Sequence, residues 1–194
     1  MDRYDSSNDH YCFAGTTVLK NRLGITSMDA LEIAEQEITS LTHRSVDYAA
    51  PPYTLDTLKR LHLALFGEIY EWAGSVRTVD ISKGGTPFCT NARIEPEAAK
   101  LFANLERDGW LANLSRDAFC RKFAEYYCEI NMIHPFREGN GRVQRILFEH
   151  LALSCGYGIR WDLLTEGEWL AANIAGVSCD YGPMAQIFDR ILQP

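Results

Sequence analysis

Helical periodicity runs along most of the chain and constrains its fold more than any other feature. Apolar residues recur every three or four positions in segments that begin near Ser27, Leu55, Ile94, Ser115, Asn140, Thr165 and Tyr181. The first two segments have predicted apolar faces made of Ala30, Ile33, Ala34, Ile38 and Leu41, and of Leu58, Leu61, Leu65 and Ile69. The second segment is predicted to run to Gly74, and Ser115 and Thr165 are predicted helix caps. The pattern predicts an all-α helical bundle.

One segment departs from the helical pattern. In "VRTVDISKGGTPFCT" the β-branched Val76, Thr78 and Val79 favour strand, and Lys83-Gly84-Gly85 supplies a turn. The sequence therefore predicts a small β-hairpin. Nothing local distinguishes a hairpin that contacts a ligand from a surface connection.

Length and composition favour one soluble domain over residues 1–194. Pro51-Pro52 disfavours helix, so an N-terminal helical arm, 1–51, is predicted to precede a core at about 52–192. No apolar stretch is long enough for a membrane span, and the first residues lack the pattern of a signal peptide. A reducing cytoplasm follows as the expected location.

The six cysteines and the net charge of −7 exclude some classes of function. Because no two cysteines form a C-x-x-C pair, we interpret them as buried or inert thiols, with a redox or metal role as the alternative. A general nucleic-acid surface needs clustered Lys and Arg, so direct nucleic-acid binding is not expected. The dense basic group is Arg137, Arg142 and Arg145, with Lys83 as a distant contributor.

The stretch "MIHPFREGNGRVQRILF" carries the chemistry. Gly139 and Gly141 let main-chain N–H groups around Asn140 approach an anion at a helix N-terminus. Arg142 and Arg145 lie three residues apart on one helix face and could hold further phosphates. Without an anion they are unfavourable there, because cations oppose the helix dipole.

Two further side chains complete the pattern. Glu138 adds one carboxylate beside the phosphate site, which is how Mg²⁺ is usually held. His134, with an ordinary pKa near 6.5, can accept a proton from an attacking hydroxyl. Phe136 is predicted to point into the core and fix the loop. The combination indicates phosphoryl or nucleotidyl transfer, and the alternative is a capping turn with Asn140 as cap, solvated arginines and a structural histidine.

The stretch "HPFREGNGRVQR" resembles the signature of the Fic family, His-x-Phe-x-(Asp/Glu)-Gly-Asn-Gly-Arg-x-x-Arg, at every specified position. The resemblance extends from about Pro52 to the C-terminus. It implies a Fic-type helical bundle with a β-hairpin flap before the motif helix. It also implies a protein adenylyltransferase, an enzyme that moves AMP from ATP to a hydroxyl side chain of a target protein.

The resemblance assigns a role to each motif position. His134 would be the general base and Glu138 the Mg²⁺ ligand. The nucleotide would be held by the loop and its flanking residues Phe136, Gly139, Asn140, Gly141, Arg142 and Arg145. Within that set Asn140 would contact the α-phosphate, Arg142 the β-phosphate region and Arg145 the γ-phosphate. The flap, residues 81–86 with Lys83 and Gly84 at its tip, would align the target and border the nucleotide.

The same resemblance suggests regulation and targets. Phosphotransferring relatives carry Lys at the position of Gly141, so Gly141 favours AMP transfer. Many Fic proteins carry an inhibitory (Ser/Thr)-x-x-x-Glu-(Gly/Asn) helix, a pattern that this sequence lacks. A separate small antitoxin is therefore expected to supply it, which would make this chain a toxin acting on DNA gyrase and topoisomerase IV. The alternatives are transfer of phosphate, UMP or phosphocholine, and a nucleotide-binding module without turnover.

Overall fold

The computed structural model describes residues 9–194, and most of that range is helical. The helices are α1 (Met28–His43), α2 (Leu55–Phe66), α3 (Ile94–Arg107), α4 (Arg116–Ile133), α5 (Asn140–Ser154), α6 (Glu166–Val177) and α7 (Gly182–Ile191). The strands are two short antiparallel pairs, β1 (Ser82–Lys83) with β2 (Thr86–Pro87), and β3 (Gly158–Ile159) with β4 (Leu192–Gln193). The predicted all-α class is confirmed.

Helix α4 lies at the centre of the bundle and packs against α3, α5, α6 and α7. Its aromatic side chains form the middle of the core. The Phe123 ring lies 5.0 Å from Phe119, 4.9 Å from Phe148 on α5 and 4.7 Å from Phe188 on α7, measured between centroids. Both phenylalanines on the neighbouring helices are fully buried. This packing fixes α5 against α4, so the turn that joins them has little freedom.

The predicted caps of α4 and α6 are present. The Ser115 hydroxyl accepts a hydrogen bond from the Ala118 N–H at 3.4 Å. At the start of α6, the Thr165 hydroxyl accepts from the Glu168 N–H, and the Glu168 carboxylate accepts from the Thr165 N–H at 3.0 Å. These bonds satisfy N–H groups that have no partner inside their own helix.

The predicted apolar face of α1 is confirmed only in part, because Ile38 packs against the core but other members of the face do not. Ile33 and Leu41 are 58% and 64% exposed, whereas the buried stripe consists of Leu31, Glu35 and Thr39. The stripe has helical spacing, but two of its members are polar, so apolar periodicity could not detect it. The reason is that α1 packs on α2 with Glu35 turned towards α5, where a charged partner is available.

Helix α2 ends at Phe66 rather than at the predicted Gly74. The chain then folds back along α2, and the Gly74 N–H donates to the His62 ring at 2.9 Å. Gly74 has a φ of +80°, and a side chain there would press against the backbone of Lys59. The predicted apolar face is confirmed, since Leu58, Leu61, Leu65 and Ile69 are all buried.

The hairpin is present but shorter than the sequence suggested. Lys83 pairs with Thr86, and the two residues between them, Gly84 and Gly85, have φ values of +56° and +80°. Positive φ at both central residues is the requirement of a type I′ turn. Val76 and Val79, which were predicted to be strand, are irregular, and the Val79 carbonyl accepts a hydrogen bond from the buried Arg77 side chain instead of from a neighbouring strand.

The part of the predicted arm that the structure describes packs on the core. The Lys20 N–H donates to the Tyr11 carbonyl at 2.7 Å, and Tyr11, Val18 and Leu19 are buried. All six cysteines are free thiols, and Cys120 and Cys128 are buried. Within residues 9–194, no helix has the length and apolar character that crossing a bilayer requires.

Candidate active site

The turn predicted to carry the chemistry joins α4 to α5. Helix α4 ends as the backbone of His134 enters the left-handed region, with φ +45° and ψ +64°. Gly139, with φ +78°, caps the N-terminus of α5. Because α4 and α5 are both packed in the core, the turn that carries the motif side chains is held in place at both of its ends.

The ring of His134 is held in one tautomer. Its Nδ1 lies 2.7 Å from the carbonyl oxygen of Asn131, which can only accept, so Nδ1 carries the hydrogen. Nε2 is therefore the basic nitrogen of the ring. The ring of Phe88, which follows the hairpin, stacks on His134 with centroids 3.9 Å apart. A neutral imidazole with a fixed basic nitrogen is what a general base requires.

Asn140 closes the loop instead of capping the helix, so the capping alternative for this residue is wrong. Asn140 is the first residue of α5, after the cap at Gly139. Its side-chain Oδ1 accepts from the Phe136 N–H and its Nδ2 donates to the Phe136 carbonyl, both at 2.8 Å. Phe136 is buried, as predicted. The asparagine thus fixes the backbone that surrounds the candidate anion site.

A buried histidine on α2, which the sequence indicated to be structural, supports the same loop. His62 accepts from the Gly74 N–H at Nδ1, so its Nε2–H donates to the Glu138 carbonyl at 3.0 Å. Its ring stacks on Phe136 with centroids 4.0 Å apart. Burial lowers the pKa of His62 to about 3, which keeps the ring neutral over the physiological range.

Glu138 and Arg142 lie together at the start of α5. The Glu138 side chain is 2% exposed, and its Oε1 accepts from the Gly139 N–H at 2.9 Å. Arg142 Nη2 lies 3.7 Å from the same oxygen. The Arg142 guanidinium stacks over Phe66 at 4.6 Å and remains 31% exposed. The cation is therefore held in place while part of it stays open to a ligand.

A glutamate that the sequence interpretation missed balances Arg142. Glu35 on α1 is 1% exposed, and its Oε2 lies 2.5 Å from Arg142 Nη2. The hydroxyl of Tyr70 donates to the other oxygen, and burial raises the pKa of Tyr70 so that it stays protonated. A charged residue inside the buried stripe of α1 is the signal that could have revealed it. Glu35 follows Leu31 by four residues and precedes Gln36, so it does not belong to a (Ser/Thr)-x-x-x-Glu-(Gly/Asn) pattern.

Arg145 lies on the wall of a cavity of about 260 Å³ between α1 and α5. Its guanidinium lies over the rings of Trp161 and Trp169, at 5.5 and 5.7 Å. Arg142 and Thr39 also border the cavity. Two cations on one wall make this cavity suitable for an anionic group that extends beyond the loop.

The remaining predicted residues are placed differently. Arg137 forms a buried ion pair with Asp9, N to O 2.6 Å. It therefore braces the N-terminal segment rather than the predicted phosphate site. Lys83 and Gly84 lie at the exposed tip of the hairpin, and Gly141 lies in the first turn of α5.

The donors around the loop fit Mg²⁺ bound together with a nucleotide. Mg²⁺ prefers oxygen ligands and is commonly held by one or two carboxylates together with substrate phosphates and water. Glu138 supplies a carboxylate beside the N–H groups of α5. In the part of the chain that the structure describes, no group of three or more His, Cys, Asp or Glu side chains is arranged to hold a metal. Phosphate oxygens would complete the coordination.

Comparisons with known proteins agree with this arrangement. Residues 52–152 match the model of the Fic/DOC family. The chain is 38% identical over 191 residues to the probable protein adenylyltransferase Fic of Escherichia coli K12, covering 98% of this chain and 96% of that protein. It is 37% identical over 178 residues to the protein adenylyltransferase VbhT of Bartonella schoenbuchensis, covering 90% of this chain and 37% of VbhT.

A solved structure has the same fold. The BepC effector protein of Bartonella tribocorum, with bound AMPPNP, superposes with a TM-score of 0.85 at 28% identity. The match covers 95% of this chain and 96% of that one. That relative therefore binds a non-hydrolysable ATP analogue within this fold.

The cap at Gly139 yields a test of the loop. A Cβ at Gly139 would overlap the Phe66 ring, and its φ of +78° strains any other residue. Gly139→Ala is expected to lower the free energy of unfolding in urea by about 2–5 kcal/mol through strain and overpacking. The matched control is Gly141→Ala, where a Cβ meets nothing within 4 Å. Equal stabilities of the two variants would contradict this account.

His62 yields a prediction about pH. Between pH 7 and pH 5 the unfolded chain protonates this histidine while the folded chain does not, since its folded pKa is about 3. The unfolded state then binds more protons than the folded state. Lowering the pH from 7 to 5 therefore reduces the free energy of unfolding by about 2 kcal/mol through this residue. His62→Gln is expected to remove that part of the pH dependence in urea unfolding, with the exposed His43→Gln as control. A pH dependence that His62→Gln leaves unchanged would contradict the prediction.

Proposed function

This chain is a nucleotidyltransferase of the Fic/DOC family, and we propose that it transfers AMP from ATP to a hydroxyl side chain of a target protein. The observation that carries the proposal is the α4–α5 turn. It combines a histidine whose Nε2 is basic, a buried carboxylate and a helix N-terminus flanked by two arginines. The bound AMPPNP in the BepC relative supports ATP as the nucleotide.

In the proposed reaction His134 is the general base. Its Nε2 takes the proton as the target hydroxyl oxygen forms a bond to the α-phosphorus of ATP. The bond from that phosphorus to the bridging oxygen of the β-phosphate breaks, and pyrophosphate leaves. The hydrogen bond from Nδ1 to Asn131 stabilises the imidazolium that results. All atoms are then accounted for in AMP-modified target, pyrophosphate and a protonated histidine.

The N-terminus of α5 is the proposed anion site. Asn140 and Gly141 present main-chain N–H groups, which would stabilise the negative charge that develops on the α-phosphate. The Gly139 N–H, which donates to Glu138 Oε1 in this structure, would join them when that carboxylate turns to a metal ion. Contact between Asn140 and that phosphate would use the side-chain hydrogen that does not face Phe136. Mg²⁺ at Glu138 would neutralise charge on the phosphates when it is bound. Phe136 keeps the loop backbone in place from beneath.

The two motif arginines are proposed to hold the pyrophosphate portion. Arg142 would contact the β-phosphate and share its charge with Glu35. Arg145 would contact the γ-phosphate from the wall of the 260 Å³ cavity. Lys83 and Gly84, at the tip of the hairpin, would border the nucleotide and align the target strand. Since Gly141 carries no ammonium group, AMP transfer is favoured over phosphate transfer.

The proposed physiological role is that of a toxin in the bacterial cytoplasm. Its targets would be the ATPase subunits of DNA gyrase and topoisomerase IV. A separate small antitoxin would place a glutamate from a (Ser/Thr)-x-x-x-Glu-(Gly/Asn) helix beside Arg145. The cavity between α1 and α5 supports this because a carboxylate entering it meets a guanidinium. The lack of such a pattern in this chain supports a source outside it.

The activity is tested with labelled ATP. Purified protein, Mg²⁺ and DNA gyrase are incubated with either α- or γ-labelled ATP. Label from α-labelled ATP alone is expected on the target, with at least a 100-fold loss in His134→Ala because a positioned general base contributes about 10²–10⁴-fold. His150→Ala, a buried histidine elsewhere on α5, is the matched control and is expected to retain labelling.

Each other outcome selects an alternative. Label from γ-labelled ATP would indicate phosphate transfer, and label from UTP or CDP-choline alone would indicate another donor. Labelling in a bacterial lysate but not of gyrase would replace the target and keep the activity. ATP binding without any protein labelling would indicate a module without turnover.

Inhibition by an antitoxin is tested separately. Each small protein encoded next to this chain is co-expressed with it, and labelling of the target is measured in the purified complex. At least a tenfold reduction is expected for the wild-type chain. Replacing the glutamate of the small protein's motif with alanine is expected to restore labelling. Unchanged labelling in the wild-type complex would contradict external inhibition.

A further inference from the structure

Arg77 is a fully buried cation that no motif position accounts for. It lies between α2 and the hairpin, and its side chain is 0% exposed. Nε donates to the His134 carbonyl at 2.8 Å, and Nη1 donates to the Val79 carbonyl at 2.7 Å. Nη2 donates to the carbonyls of Cys89 and, at 3.4 Å, Ile133. One guanidinium therefore joins two parts of the chain through four carbonyl groups.

The end of α4 explains why a cation is suited to this position. The last carbonyls of a helix lack donors within the helix and form the negative end of its dipole. Here the chain leaves α4 through a left-handed residue, and the Pro135 carbonyl accepts from the Arg77 backbone N–H at 2.8 Å. Burial lowers the pKa of Arg77, and the exposed Asp80 carboxylate, 3.7 Å from Nη1, opposes this shift. The carbonyl acceptors offset the remaining cost of burying the charge.

Arg77 also holds both ends of the hairpin. Val79 precedes β1 and Cys89 follows β2, and each gives its carbonyl to the same guanidinium. The Cys89 N–H donates to the Met132 carbonyl at 2.9 Å, which ties the end of the hairpin to α4 a second time. Phe88 then stacks on the ring of His134. The hairpin and the histidine therefore share one support.

We propose that Arg77 is a positioning residue that fixes the hairpin relative to His134, so that a target strand aligned along the hairpin presents its hydroxyl to Nε2. This inference rests on the proposed function. It assigns Arg77 to the target step and not to nucleotide binding. The anion site has separate supports, because His62 holds the Glu138 carbonyl and Asn140 holds Phe136.

The first test requires no target. Amide hydrogen exchange of the full-length chain is measured by mass spectrometry for the wild type, Arg77→Lys and Arg77→Met. Exchange at Phe88 and Cys89 is expected to rise at least tenfold in Arg77→Met, while the core of α4 and α5 is unchanged. Arg93→Met is the matched control, since Arg93 is exposed and pairs with Glu97. Unchanged exchange around the hairpin in both Arg77 variants would overturn the proposal.

The second test separates the target from the nucleotide. For the protein that accepts label in the wild type, kcat/KM is expected to fall about 100-fold in Arg77→Met, with the dissociation constant for ATP within twofold of the wild type. Arg77→Lys keeps the charge but reaches fewer carbonyls. Its kcat/KM is expected to be at least tenfold higher than that of Arg77→Met. An equal loss of ATP affinity would overturn the positioning role and indicate a general structural one.

The two tests also keep the proposals distinct. If the wild type labels no protein, the proposed function fails while hydrogen exchange still tests whether Arg77 fixes the hairpin. If Arg77→Met does not fold, Arg77→Lys provides both measurements. In that case a folded Arg77→Lys with wild-type exchange and wild-type kcat/KM overturns the inference, because one ammonium group cannot meet the four carbonyls that the guanidinium holds.

Discussion

The carbonyl groups at the end of α4 have to find donors outside their own helix, and the shape of the active loop depends on how they do so. The carbonyls of Ile133 and His134 accept from a buried guanidinium, and that of Asn131 accepts from the His134 ring itself. The same bonds that end the helix therefore choose the tautomer of its last side chain. The hydrogen bonds that satisfy these buried backbone groups therefore also orient the proposed general base.

The start of α5 has N–H donors without partners inside the helix, whereas the end of α4 has carbonyl acceptors without them. Its N–H groups attract anions, yet the motif places two arginines in the first turns, where the dipole opposes them. Glu35 and the face of Phe66 offset this cost for Arg142, and two tryptophan rings do so for Arg145. The cations are thus kept in position before a ligand arrives. Such preorganisation limits the reorganisation that accompanies binding and transition-state stabilisation.

Much of this could be predicted from the sequence, because the helices carry strong local signals. The caps at Ser115 and Thr165 and the buried face of α2 followed from spacing and side-chain chemistry. The motif predicted a helix-to-helix turn and assigned the residues that could act there. Local signals also gave the Gly84-Gly85 turn its position.

The errors share a physical cause, which is that polar contacts between distant parts of the chain do not appear in the periodicity of apolar residues. Glu35 and Thr39 lie on the buried face of α1, where both contact Arg142. Because Arg142 is more than 100 residues away in the chain, the spacing of residues within α1 does not reveal the contact. Helix α2 stops early because the following segment folds back so that Gly74 can donate to His62. Arg137 was grouped with the phosphate-binding arginines, but its partner is Asp9. Each contact becomes evident once the helices are assembled.

The ion pair between Asp9 and Arg137 affects the order in which parts of the chain can fold. Its two residues are separated by 128 positions, and both side chains are largely buried. During synthesis Asp9 is made first, and Arg137 is added only after a further 128 residues, about two thirds of the 194-residue chain. Contacts of such separation form late because loop closure comes before they give any stabilisation. Closure of this ion pair is therefore a late step of folding, and a nascent chain that ends before α4 contains neither Arg137 nor the motif turn.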